Sequence, residues 1–165
     1  LLMKEILDFF SENNLKFDDI SQVYVNQGPG NFSGLRGSIA TAKGICLSKN
    51  LNLYGYNTFI WSCSQFIKNK DTIYSFIKFR DKYFFMQFKN NLKKTFKIKK
   101  VNLNEVAKKY KNQFKVIPKN LIKYDDEKIL KLNNLKIVDL KHDHLESLYL
   151  NGLLTEGLIK PFYLD

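Results

Sequence analysis

Cysteine and arginine are scarce in this chain of 165 residues, with two of each. Cys46 and Cys63 are too few for a disulfide framework or a four-ligand zinc site, and their apolar neighbours read as those of buried structural thiols. No apolar run reaches the roughly 18 residues that a membrane-spanning helix needs. The opening residues carry Lys4, Glu5 and Asp8 with no small-residue cleavage site, which argues against a secretory signal and for a cytoplasmic protein. Of 27 basic residues only Arg36 and Arg80 are arginines. Arginine supplies the rigid fork that recognises phosphates, so the net charge of +11 reads more as a coding bias toward lysine than as a surface selected for a polyanion. What is abundant is apolar: 44% hydrophobic and 15% aromatic residues exclude a disordered chain. The length alone suggests one ordinary domain.

Charge divides the chain unevenly. Residues 1–67 are neutral, residues 68–123 hold seventeen basic and three acidic side chains, and residues 124–165 are acidic by three. That pattern suggests two lobes. Leu2, Met3, Ile6, Leu7, Phe9 and Phe10 predict an amphipathic helix over 2–13, followed by a strand at 21–26. A second helix over 34–49 follows, with Ser33 as its expected cap. It carries an apolar stripe (Leu35, Ile39, Ala42, Cys46) and a stripe of small residues (Gly37, Thr41, Gly44, Ser48). Interior glycines cost about 1 kcal/mol each against alanine, so the small stripe suggests close approach by another backbone. A strand at 51–56 and a helix at 59–67 complete this region. Strands are expected at 72–79, 82–88, 95–101, 114–117 and 135–140. Phe96 and Ile98 alternate there with Lys97 and Lys99, and capping boxes at Asn102/Glu105 and Asp143/Glu146 open further helices.

The most informative feature is Gly28-Pro29-Gly30-Asn31-Phe32-Ser33-Gly34-Leu35-Arg36, between a strand and a helix. Such loops bring backbone N–H groups against phosphate. The spacing nevertheless departs from the dinucleotide fingerprint by one residue, and no lysine follows Gly34 as a Walker loop requires. Phosphate cradle and strained turn both remain open on spacing alone. Continued through Gly37 and Gly44, the segment resembles the GPGSFTGLRxGxxxAKG signature of the TsaB (YeaZ) family, and the ending Lys160-Pro161-Phe162-Tyr163-Leu164 resembles that family's terminal P-x-Y-L-R.

The resemblance implies an α/β, two-lobed fold of the actin and sugar-kinase (ASKHA, RNase H-like) type. Residues 1–56 with 142–165 would form the first lobe and residues 57–141 the second, basic lobe. It implies a non-catalytic scaffold that pairs with TsaD in making threonylcarbamoyladenosine in tRNA, with TsaE in a ternary complex, and that also pairs with itself. The interface would be the two helices of the first lobe, through Leu2, Ile6, Phe9, Phe10, Gly37, Thr41, Gly44 and Ser48. Family members begin with an ILAIDTS-type strand and hairpin that this sequence lacks, so it reads as a fragment or a shortened member with an incomplete first lobe, and no cofactor is expected. The family's DAR-x-x-E-V-Y motif survives only as Arg80 within Lys78–Phe85, and Asp165 replaces the terminal arginine.

The remaining features each carry a bland reading. His142 and His144 flank Asp143 as a solvated cap, not a metal site. The six lysines between Lys89 and Lys100 read as a guarded strand edge, with tRNA phosphates as the functional reading. Arg36 lies in a first helical turn, where the dipole disfavours a cation. It is therefore expected to face a partner carboxylate, a carbonyl or the glycine loop. The alternative to the scaffold is a nucleotide-binding ASKHA enzyme or an M22-like peptidase acting alone, although no Ser/His/Asp or Cys/His constellation supports it.

Overall fold

A computed structural model describes residues 2–95, 97–122 and 126–164. The expected alternation at Phe96 and the terminal Asp165 lie outside the described residues. Two compact units emerge: one takes the chain up to Asn57 and resumes at Leu154, and the other is Thr58–Leu153. Residues 142–153, assigned to the first lobe from the sequence, therefore fall in the second unit.

In the first unit, α1 (Leu2–Glu12) ends before Asn14, which takes a left-handed conformation at φ 53°. Strand β1 (Gln22–Asn26) leads through the glycine loop into α2 (Phe32–Lys49), and β2 (Asn52–Tyr56) returns parallel to β1, with Val23 opposite Leu53 and Val25 opposite Gly55. Parallel pairing needs such a crossover. The apolar stripe of α2 falls where its spacing puts it: Leu35, Ile39, Ala42 and Cys46 are its buried residues. Ile39 and Ala42 pack with Val25 and with Ile159 from the final segment.

The second unit opens with α3 (Thr58–Cys63), all six of whose residues are buried, and a 3-10 turn over Ser64–Phe66. Strands β3 (Thr72–Phe79) and β4 (Lys82–Lys89) form a full-length antiparallel hairpin, turned at Arg80 with φ 53°. The expected strand at 95–101 is instead two short pieces, β5 (Lys94–Thr95) and β6 (Lys99–Val101), both bonded to β4. After α4 (Leu103–Lys109), β7 (Lys115–Pro118) joins parallel to β3. A short α5 (Glu127–Leu130) precedes β8 (Leu135–Val138), which joins parallel to β7, and α6 (Asp143–Leu150) follows. The sheet order is β5-β4-β3-β7-β8, with β6 also on β4.

Side chains alternate across a strand, and both faces of this sheet are covered. One face carries Phe76, Phe85 and Ile117, packed with Val106 of α4 and Ile129 of α5. The other carries Ser75, whose hydroxyl is 2.7 Å from that of Ser62 in α3. Helix α6 joins this second layer because Leu145 and Leu148 are buried and the Trp61 indole N–H donates to the Lys141 carbonyl at 3.0 Å. That burial moves residues 142–153 into this unit. At the start of α6 the expected capping box is absent. Asp143 is the first helical residue, and the preceding His142 makes no side-chain cap. Asp143 and Glu146 instead sit in the first turn, where carboxylates complement the dipole. At α4 the Asn102 side chain does cap, accepting from Glu105 N–H at 2.8 Å.

Lys115 is fully buried in β7, opposite Tyr74. Its ammonium donates to the carbonyls of Tyr110 at 2.6 Å and Gln113 at 2.7 Å, with Lys111 at 3.4 Å. A cation thus closes the carboxyl end of α4, where the dipole favours one. Burial lowers its pKa below that of an ordinary lysine. The unfolded chain then binds this proton more tightly than the folded one, so the group's contribution to stability rises with pH up to the ordinary lysine pKa of 10.5. Lys115→Met should cost about 1–3 kcal/mol, the penalty for orphaned buried carbonyls. Urea denaturation from pH 7 to 10 should show the gap between wild type and variant widening as pH rises.

Candidate functional site

The glycine loop is built from the end of β1. The Asn26 side-chain oxygen accepts from Gly28 N–H at 2.8 Å, and Gln27 N–H donates to Tyr56 O at 2.6 Å. Gln27 O in turn accepts from Phe162 N–H at 2.6 Å, and its side-chain amide donates to Lys160 O at 2.8 Å. The final segment is thereby stitched to the loop. Gly28 has φ +123°, and a Cβ there would lie 2.6 Å from Phe162 O. Only glycine tolerates both. The Gly28-Pro29 bond is cis.

Asn31 caps α2, not the expected Ser33: its side-chain oxygen accepts from Gly34 N–H at 2.6 Å, while Ser33 lies within the first helical turn. The reason is register, since α2 starts two residues earlier, at Phe32. The Gly34 amide, one of those a phosphate would use, is thus bonded by the loop's own side chain. The Leu35 side chain turns back to within 3.2 Å of where a Gly30 Cβ would stand.

Arg36 finds neither a carboxylate nor a carbonyl among its described contacts. Its guanidinium lies 4.4 Å from the centre of the Phe32 ring, itself part of the glycine loop. Phe32 in turn stacks on Tyr163 at 5.4 Å and 22°. A three-member stack of cation and two rings stands beside the loop, with Phe32 55% exposed. Sequence reasoning missed the Tyr163 contact because 131 positions separate the two rings.

The expected interface residues form one neighbourhood. Helix α1 has no buried residue: Leu2, Met3, Leu7 and Phe9 are exposed, and Ile6 and Phe10 are half-buried. The Phe10 ring meets that of Phe17 at a tilt of 51°, with centres 4.7 Å apart. Between the helices lies a recess of about 430 Å³, lined by Met3, Phe17, Thr41, Gly44, Ile45 and Ser48 among others. Ser48 and Gly37 are exposed, and a Cβ added at Gly37 or Gly44 would meet nothing within 4 Å. The small stripe therefore faces outward, and Leu47 beside it is 85% exposed.

In the second unit, Lys78 stands where the family motif has an acid, and it pairs with Asp126 at 2.6 Å in a mostly buried site. Lys93, Lys94, Lys97, Lys99 and Lys100 are exposed along the outer edge that β5 and β6 add to β4. Lys115, with an aliphatic stem in a Phe-Lys-Val-Ile run, carried no sequence signal of its buried role. Both cysteines are buried, and burial raises their thiol pKa values, so neither forms a thiolate near neutral pH. His142 lies against Trp61 with 5.3 Å between rings, and no group of three metal-ligating side chains occurs among the described residues.

Glycine placement gives a paired prediction. Gly28→Ala should destabilise the protein by about 2–4 kcal/mol through strain and overlap. Gly44→Ala should stabilise it by about 0.5–1 kcal/mol through helix propensity. Chemical denaturation of both variants measures the contrast.

Comparison with known proteins bears on this geometry. The sequence model of the family TsaD, tRNA N6-adenosine threonylcarbamoyltransferase, matches residues 1–76, just under half of the chain. No curated protein sequence matches it. Among solved structures, the chain is similar to an uncharacterized protein with similarity to peptidase YeaZ from Pseudomonas aeruginosa, with a TM-score of 0.66 at 15% identity, covering 99% of this chain and 82% of that one. It is also similar to YeaZ from Pseudomonas aeruginosa, with a TM-score of 0.61 at 13% identity, covering 98% and 82% respectively. In none of the described helices is there enough length and apolarity to cross a membrane. Along nearly the whole chain the fold is thus similar to that of the YeaZ structures, and the TsaD family match takes in the glycine loop and both helices of the first unit.

Proposed function

We propose that the chain acts as a non-catalytic scaffold that pairs with a TsaD-type subunit in threonylcarbamoyladenosine synthesis, with TsaE joining the pair. The observation that carries the reading is α1: six of its eleven residues are apolar, yet none is buried. Beside it runs the outward stripe of Gly37, Thr41, Gly44 and Ser48, where a second helix can approach closely. Exposed apolar surface of this kind marks interaction sites. Without TsaD, the same face pairs with a second copy of the chain. The scaffold binds no nucleotide at the glycine loop, in keeping with the Asn31 side chain on the Gly34 amide.

Two substitutions test the interface without touching the interior. Phe9→Glu places a charge on exposed apolar surface. Gly44→Leu fills a position with open space around it in the single chain. Each should weaken the dissociation constant for TsaD, measured by calorimetry, by at least about thirtyfold, the scale of an interface hot spot. Thermal unfolding of the isolated chain should stay within a few degrees of wild type. Unchanged affinity in both variants would reject the interface, and ATP turnover by the isolated chain would reject the non-catalytic role.

A further inference from the structure

A second recess lies wholly within the second unit, on the sheet face that α4 only partly covers. Tyr74, Phe85 and Gln87 come from β3 and β4, Lys99 from β6, Lys97 from the irregular segment before it, and Tyr110 from the end of α4. The register explains the grouping. Tyr74 is opposite Gln87 and Phe85 is opposite Lys99, so alternation puts all four on one face. The three rings form a closed set, with centres 5.3 Å apart for Tyr74 and Phe85, 5.4 Å for Tyr74 and Tyr110, and 4.8 Å for Phe85 and Tyr110. Lys115 fixes the third ring by holding the Tyr110 carbonyl. The volume is about 210 Å³. That is below the roughly 300–1,000 Å³ of sites for drug-sized ligands, so the recess suits one planar ring system.

We propose that this recess binds a single nucleotide, its base against the three rings and its phosphate at Lys97 and Lys99. Aromatic floors accept any base because every base has a π-face, and flanking lysines hold the phosphate that follows it. Gln87 offers a donor and an acceptor to the base edge. Burial raises the pKa of Tyr74, keeping its hydroxyl protonated as a further donor. Both lysine side chains are exposed, so they reach a phosphate outside the recess without losing hydration first. The same chemistry comes from a free nucleotide or from one residue of a single-stranded RNA. The inference does not depend on pairing with TsaD.

The test is fluorescence anisotropy of a labelled heptauridylate with the full chain from 50 to 200 mM salt. Wild type should bind, and Tyr110→Leu should weaken binding about tenfold with an unchanged salt slope, as loss of one stacked base requires. Lys97→Glu with Lys99→Glu, on exposed side chains that leave folding intact, should weaken binding at least tenfold and flatten the log–log salt slope by about 0.7, the contribution of the one single-strand phosphate they hold. Competition by uridine monophosphate as effective as by unlabelled heptamer supports the site with a free nucleotide as ligand. Competition by the heptamer alone supports it with an RNA strand. Absence of binding, a well-folded Tyr110→Leu that binds as wild type, or displacement by poly-glutamate at equal charge would overturn it.

Discussion

The first unit depends on how Gln27 is bonded. Its N–H reaches the end of β2 at Tyr56, its carbonyl accepts from Phe162, and its side chain reaches Lys160. Each bond is worth about 1 kcal/mol net, but leaving one of these groups buried and unpaired would cost more. Three pieces of chain must therefore pass close together. Glycine at 28 follows, because the Phe162 carbonyl occupies the space of a side chain, and so does glycine at 55, where the Gln27 side chain does the same. Ile159 then falls among Val25, Ile39 and Ala42, and Tyr163 reaches Phe32. The geometry of the signature loop is thus set by the far end of the chain as much as by the loop's own residues.

This arrangement separates the two sides of α2. Its buried stripe faces the paired strands, and on its other side Gly37 and Gly44 leave open space where a side chain would stand. Glycines in a helix that touch nothing inside their own chain are a standing cost in helix propensity. The second unit follows a different rule. Its mixed sheet buries much of the central strands β3, β4 and β7, and these strands read as aromatic and β-branched runs in place of clean alternation. Burying a lysine there is tolerable because three carbonyls at the end of α4 receive it.

Elements with a strong local period were legible in the sequence: α1, α2 with its buried stripe, the β3–β4 hairpin and the parallel strands β1 and β2. The failures were of three physical kinds. At the start of α2 both Asn31 and Ser33 are good caps, and the choice was decided by where helical geometry begins. The placing of α6 in the second unit depended on Trp61 and Lys141, eighty residues apart, a contact that no local pattern announces. Helix α5, four residues within a run of charges, is too short to show a period at all. Within the candidate site, the loop and the outward stripe were readable as residues, but the Arg36–Phe32–Tyr163 stack and the role of Lys115 arise only from tertiary contact.

Charge acquires a different meaning once it is placed on these elements. Lysines on β5 and β6 line an outer sheet edge, and lysine there discourages edge-to-edge pairing between molecules. Protection of an edge asks only that charge be present and solvated. It does not ask that a tyrosine from α4 and another from β3 leave a ring-lined gap beside two of those lysines. The neutral unit thus exposes apolar and small side chains, while the basic unit sets exposed ammonium groups beside a recess whose rings are buried or half-buried. Salt separates the two kinds of contact, since the first is nearly indifferent to ionic strength and the second weakens steeply with it.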